Sequence, residues 1–247
     1  MEKIKLLNTY VDNFTMEEAI DKIEMLIAGK KKSYVVAVNV DVIMKIEQEA
    51  KLKHITDSAD VVLVDGMPLV WISKLHKKPI VEKISGSDLV PKLCGLAAQK
   101  GYSIFLIGGK DGIAEQAKRK LEEKYRGLQI VGTYAPPLGF EKNQKELDKI
   151  NGLISAKKPD LLVACFGCPK QEKWIYDNYG KYDAKVSICA GATVDFLAGN
   201  IKRCPKWMAD HGLEWLYRFM QEPKRLFKRY FIDDVKILKL VWKYRSN

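Results

Sequence analysis

No stretch of this 247-residue chain approaches the roughly 18–20 consecutive apolar residues that a membrane-spanning helix needs. Its longest apolar runs, such as Val35–Val38 and Leu161–Cys165, have strand length. Histidine is scarce: His54, His76 and His211 are scattered, and no second CxxC or nearby His cluster joins Cys165-x-x-Cys168 to complete a zinc site. Those cysteines read as small buried thiols. There is no GxxxxGK(S/T) phosphate loop, and no full dinucleotide fingerprint with an acidic residue on the following strand, which argues against NAD. No helix-turn-helix, zinc-finger or RNA-binding signature accompanies the net charge of +11, so nucleic acid is not an expected partner. Internal repeats and low-complexity linkers are absent. Met1-Glu-Lys-Ile-Lys5 leads into a short amphipathic strand and not an apolar export segment; five cysteines then suggest reduced thiols in a cytoplasmic protein.

What the chain does have is alternation. Hydrophobic residues make up 47% of it, enough for one large core or one core with an appendage. Strands are predicted at Lys3–Asn8, Ser33–Val38, Val61–Val64, Ser103–Ile107, Leu128–Gly132, Asp160–Cys165 and Lys185–Ala190. Helices are predicted between them: Thr15-Met-Glu-Glu18 is a capping box opening one that ends near Ala28, and others cover Val40–Lys53, Ser87–Lys100, Asp111–Tyr125, Gln144–Ala156 and Lys170–Tyr179. Short Val/Ile/Leu-rich strands separated by helices predict an α/β, Rossmann-like, mainly parallel sheet covered on both faces. Ligands then belong beyond the carboxyl ends of the strands.

Those ends are polar and rich in glycine. Val38 leads to Asn39 and Asp41, Val64 to Asp65-Gly66-Met67-Pro68, Ile107 to Gly108-Gly109-Lys110, and Ala190 to Gly191-Ala192-Thr193-Val194-Asp195. Asp65, ending an apolar strand, would be partly desolvated, which raises a carboxyl pKa and suits a general base. Equally, it could cap the helix begun by Pro68. Gly108 and Gly109 could bring N–H groups close to a diphosphate, or serve as simple turn chemistry.

The final fifth differs in charge. Phe196 to Asn247 holds 12 Lys and Arg against 5 Asp and Glu, and three of the five tryptophans: Trp207, Trp215 and Trp242. At about 100° per residue, Lys224–Phe231 places its four cations opposite its four apolar groups. A helix so built suits an anionic membrane surface, with rings at the headgroup boundary and cations on phosphates. A basic helical subdomain packed on the core is the alternative. The division expected is a catalytic core over residues 1–195 and a basic amphipathic appendage over 196–247. Its exposed aromatics also offer a surface for homo-oligomerisation.

Several segments in this order and spacing resemble the WecG/TagA/CpsF glycosyltransferases. They are Asn39, Asp65-Gly-Met-Pro68, Ser85-Gly-Ser-Asp-Leu89, Phe105-Leu-Ile-Gly-Gly109, Gly132-Thr-Tyr-Ala-Pro-Pro137, Phe166-Gly-Cys-Pro-Lys-Gln-Glu172, and Gly212-Leu-Glu-Trp-Leu-Tyr-Arg218 with Gln221-Glu-Pro223. The resemblance spans nearly the whole chain. It implies transfer of a sugar from a UDP donor to a lipid-diphosphate sugar at the inner membrane face, by a cytoplasmic enzyme attached peripherally. The branch it most resembles moves N-acetylmannosamine from UDP-N-acetylmannosamine to the 4-hydroxyl of undecaprenyl-diphosphate-linked N-acetylglucosamine, with inversion, in wall teichoic acid linkage-unit synthesis. Other branches use N-acetylmannosaminuronate or other sugars.

Carried over residue by residue, the resemblance implies that Asp65 is the base, that Asn39 and Gln171 line the sugar pocket and that Asp195 lies in the donor pocket. Arg218 and Arg225 would neutralise diphosphate charge. Lys83, Gly108, Gly109, Tyr134, Lys228 and Arg229 complete the expected substrate-binding set. Lys83 stands where the family usually has Arg, which keeps the charge but loses bidentate geometry, and Ala37 stands where Thr is frequent. No DxD motif is present to hold a divalent ion, so no metal or other cofactor is expected and the arginines take up the leaving charge. A soluble nucleotide-sugar or NAD enzyme would not need the tail. A non-catalytic membrane adaptor would need the tail but not polar residues arrayed at strand ends.

Overall fold

In the computed structural model, which describes residues 3–245, the chain forms a six-stranded parallel sheet flanked by helices, with a small antiparallel hairpin beside it. The hairpin is β1 (Lys3–Leu6) and β2 (Thr9–Asp12). The single strand predicted over Lys3–Asn8 is thus broken by a two-residue turn in which Leu7 adopts φ 54°, a conformation an apolar residue does not advertise. Asp12 ties the hairpin to the sheet by accepting the Val62 N–H at 2.7 Å.

After α1 (Met16–Ala28), capped by Thr15 and Glu18 as predicted, come β3 (Ser33–Val38), α2 (Val40–Gln48), α3 (Ala50–Asp57), β4 (Val61–Val64), α4 (Met67–Leu75) and α5 (Gly86–Lys100). Then follow β5 (Ser103–Gly108), α6 (Ile113–Lys124), β6 (Gln129–Tyr134), α7 (Gln144–Lys157), β7 (Leu161–Cys165), α8 (Lys170–Asn178), β8 (Val186–Cys189) and α9 (Thr193–Ala198). The helix predicted over Val40–Lys53 is two helices, because Glu49 is extended (φ −134°, ψ 103°). The strand order is β4-β3-β8-β7-β5-β6, so β8 is inserted between β3 and β7.

Successive strand residues feed two cores. Tyr34, Val36 and Val38 pack with Val62, Val64, Leu162 and Cys189 on one face, against α2, α3 and α8; Val35, Leu63, Val163 and Ile188 pack on the other, against α1, α5 and α6. Burial on both faces is why these strands read as continuous apolar runs. Every strand of the sheet ends on the same side, and that side carries the polar turns.

The C-terminal segment is a chain of short helical pieces: α10 (Lys206–Asp210), α11 (Glu214–Gln221), α12 (Pro223–Lys228), a π-helical turn at Arg229–Asp233, a 3-10 turn at Asp234–Lys236 and α13 (Ile237–Lys243). The uninterrupted helix expected over Lys224–Phe231 is therefore absent. Its facing also differs from expectation: Leu226 is buried and Tyr230 half-buried, while Phe227 and Phe231 are exposed. Ile237 and Leu240 dock the segment on the core and Leu226, earlier in the segment, is also buried, each burial worth roughly 1.5–3 kcal/mol. No described helix is long and apolar enough to cross a membrane.

Candidate active site

Two adjoining cavities open at the carboxyl ends of the strands. The larger, about 830 Å³, runs from the ends of β3 and β4 to the C-terminal pieces; the smaller, about 550 Å³, lies beyond β5 and β7. Five residues line both: Gly167, Gly191, Ala192, Arg218 and Arg225. They form a neck between the cavities.

Asp65 lines the larger cavity. Its backbone N–H is fixed by Val38 O at 2.7 Å, continuing the β3–β4 ladder. The next residue, Gly66, turns the chain at φ 116° and is itself the N-cap of α4, which no side chain caps. The capping alternative for Asp65 is thereby removed. No hydrogen bond or ion pair engages its carboxyl among the described residues. Burial pushes this carboxyl up to about 6; Lys83 pulls it down, while Glu214 and Asp88 push it further up. A group poised there is a base at neutral pH with appreciable affinity for a proton.

Lys83 Nζ lies 3.1 Å from Asp88 and 3.3 Å from Glu214. Burial alone would lower the ammonium, but Glu214, Asp88 and Asp65 together hold it above its ordinary range, so it stays charged. Asp88 is in turn held by the Ser85 hydroxyl at 2.6 Å and by Arg203. Asn39 caps α2 by accepting the Val42 N–H at 3.1 Å, and its amide nitrogen has no partner among the described residues. Across the same cavity Arg229 sits between Asp41 (3.9 Å) and Asp234 (3.6 Å). Burial pushes the Asp234 carboxyl up to about 6 against the pull of Arg229.

A model of the glycosyl transferase WecG/TagA/CpsF family matches residues 4–247. The chain belongs to that family. It is also similar to a Bacillus spizizenii protein named N-acetylglucosaminyldiphosphoundecaprenol N-acetyl-beta-D-mannosaminyltransferase, with 31% identity over 196 residues, covering 79% of this chain and 74% of that protein. It is a glycosyltransferase, and the two cavities are its candidate active site.

The neck of the transferase is held from two sides. On the sheet side, Gln171 Oε1 accepts the N–H of Gly167 at 3.2 Å and of Gly191 at 3.0 Å, while Nε2 donates to Glu172 Oε1 at 2.9 Å. Gln171 therefore lies in the wall of the larger cavity, with Oε1 committed to the turns and Nε2 to Glu172. Glu172 is fully buried, and burial pushes its carboxyl up. On the tail side, Arg218 stacks over Phe196 at 4.8 Å and reaches Glu222 at 3.4 Å; Arg225 donates Nε to Glu222 at 2.8 Å.

Of the other expected residues, Gly109 and Asp195 line the smaller cavity. Gly109 N–H is spent on Cys165 O at 3.3 Å, and Gly108 (φ 118°) is required because a Cβ there would lie 2.4 Å from that same oxygen. Close approach of β5 to β7 explains Gly108, and a left-handed φ of 75° with Ile113 and Val194 crowding the Cβ position explains Gly109. Tyr134 lines neither cavity: its hydroxyl meets Glu146 and Lys149. Gly108 and Lys228 also line neither, and Lys228 is exposed. Cys165 is the buried thiol read from the sequence, pushed up to about 12 by burial, whereas Cys168, read the same way, is only part-buried. Sequence reading passed over Glu172, Glu214 and Glu222, although all three lie inside the quoted motifs. Asp234, an acid in a basic segment, gave no signal.

Proposed function

We propose that this transferase moves N-acetylmannosamine from UDP-N-acetylmannosamine to the 4-hydroxyl of N-acetylglucosaminyl-diphospho-undecaprenol, with inversion, as in wall teichoic acid linkage-unit synthesis. The observation that carries the reading is that Asp65 shares one cavity with Arg218 and Arg225, and that those arginines also border the second cavity. A nucleoside in the smaller cavity and a sugar in the larger would run their diphosphate through this neck. Asp65 takes the acceptor hydroxyl proton as its oxygen attacks the anomeric carbon. The bond from that carbon to the β-phosphate oxygen breaks on the opposite face, and the charge gathering on UDP meets the guanidiniums. We infer that fixed cations suffice and that no divalent ion takes part.

Charge supports a neutral donor. In the larger cavity Lys83 is matched by Asp88 and Glu214, and Arg229 by Asp41 and Asp234. Among the described residues, no unmatched cation beside Asp65 is left for a uronate carboxylate. The exposed aromatics of the C-terminal segment support attachment to the inner face of the membrane, where a lipid-linked acceptor resides. The test is transfer from UDP-N-acetylmannosamine to a short-chain prenyl-diphosphate N-acetylglucosamine, beside UDP-N-acetylmannosaminuronate and UDP-glucose, with and without chelator. Transfer of N-acetylmannosamine in both conditions is expected. Preference for the uronate would reject the neutral donor, and loss of activity with chelator would reject the metal-free route.

A further inference from the structure

Between Arg218 and Arg225 lies one acid, Glu222, at the break between α11 and α12 (φ −134°, ψ 56°), with Pro223 opening the next helix. Its Oε1 accepts from Arg225 Nε at 2.8 Å, and its Oε2 from Arg225 Nη2 at 2.5 Å and Arg218 Nη2 at 3.4 Å. The Arg225 hydrogen bonds, reinforced by the charges of both arginines, hold the Glu222 carboxyl below its ordinary range. Glu222 lines the smaller cavity, next to the neck the two arginines occupy.

We propose that Glu222 is a positioning residue that fixes Arg218 and Arg225 as a single fork for the diphosphate; this rests on the reading of the neck given above. A guanidinium has five N–H donors. Glu222 takes two from Arg225, along the Nε edge, and leaves that side chain its end-on pair. It takes one from Arg218, whose Nε is buried with no hydrogen-bond partner. The acid thus takes the Nε edge of Arg225 and one Nη2 hydrogen of Arg218, and leaves the remaining Nη hydrogens of both to a ligand. It also offsets the repulsion of two cations brought to one carboxylate. Without it, two long side chains would have to be ordered by the ligand itself, a cost charged directly to affinity.

Glu222 could instead be a stand-in anion that competes with the diphosphate, and the sign of one measurement separates the two roles. Calorimetry would compare UDP with uridine on the intact chain, on Glu222→Gln, Glu222→Asp, Arg218→Ala and Arg225→Ala, at low and at high salt. High salt screens the extra net charge that Glu222→Gln adds, while leaving contact geometry in place. Expected is about tenfold weaker UDP binding in Glu222→Gln at high salt, uridine unchanged, and partial recovery in Glu222→Asp, which keeps the carboxylate. Tighter UDP binding at high salt in Glu222→Gln would overturn the proposal, as would unchanged UDP affinity or equal loss for uridine. If the two arginine variants also bind UDP normally, the reading of the neck itself fails; if they lose it and Glu222→Gln does not, only the positioning role fails.

Discussion

Gln171 donates its amide to Glu172 Oε1 at 2.9 Å, and both side chains are buried. This contact underlies the two turns that shape the neck, since the other end of the same amide accepts from Gly167 and Gly191. Gln171→Ala would leave two N–H groups without an acceptor, at about 1–3 kcal/mol for each one that water cannot reach. The expected outcome is a folded protein with a lowered Tm and UDP-sugar turnover reduced at least about tenfold, read by thermal melts and initial rates. A melt and rate equal to the parent's would detach Gln171 from the neck.

Glu172 adds a pH dependence of known sign. Because burial raises its folded pKa, the folded state binds the proton more tightly than the unfolded chain. The stability from this group is full at low pH and lost as pH rises through the folded value. Glu172→Gln keeps the acceptor for Gln171 and never ionises. Its Tm should match the parent's at acidic pH and exceed it increasingly as pH rises. A variant whose Tm trails the parent's at alkaline pH would show that the ionised carboxylate is the stabilising form.

Asp65 should show the same linkage together with a loss of chemistry. The difference between 3.8 and about 6 is worth about 3 kcal/mol at most. That stability is present below pH ~4 and lost by pH ~6, so Asp65→Asn should be the more stable protein above neutrality and converge with the parent in acid. Its turnover should fall at least about a hundredfold, the usual scale for a missing general base. The parent's kcat/KM should decline below pH ~6 as Asp65 takes up its proton. An unchanged rate in the variant would remove Asp65 from the role; a melt that falls at every pH would show the carboxylate to be structural.

How far these features can be read from sequence depends on their range. The capping box at Thr15 and Glu18 and the apolar strands are local patterns, and they lie where periodicity places them. Asp65 was visible because one residue type ends one apolar run. The position of β8 between β3 and β7 leaves no local trace, so the neck between Gly167 and Gly191 could not be drawn. In the tail, counting 100° per residue presumes an unbroken α-helix. The π-helical turn from Arg229 breaks that register, and burial of Leu226 leaves the neighbouring Phe227 outside. Glu222 and Asp234 look like solvated acids in a basic segment until tertiary structure sets them against Arg225 and Arg229.

Guanidinium geometry at the neck predicts a difference between charge and shape. Arg225 gives Glu222 its Nε edge and Arg218 one Nη2 hydrogen, and each keeps further N–H groups in a planar array that an ammonium cannot reproduce. Arg218→Lys and Arg225→Lys keep the charge and should still lose turnover by about tenfold or more, with Lys variants exceeding Ala variants only slightly. Steady-state rates and UDP affinities check this. Full activity in the Lys variants would reduce the arginines to point charges.

On the proposed membrane attachment, two favourable contributions would add in the C-terminal segment, ring burial and attraction of cations to phosphate. Phe227 is 54% exposed and Trp242 68%, and neither lines either of the two cavities at the candidate site. Burying such a ring in the interface contributes roughly 1.5–3 kcal/mol, whereas each Lys near an anionic surface contributes about 1 kcal/mol that salt screens. The rings should therefore dominate. Phe227→Glu combined with Trp242→Glu should abolish co-flotation with anionic vesicles at high salt, where the cations are screened, while leaving Tm and turnover on a water-soluble acceptor intact. Lys224→Gln with Lys228→Gln should weaken flotation at low salt and little at high salt. Should the lysine pair prove the more damaging at high salt, the aromatic surface is not what meets the bilayer.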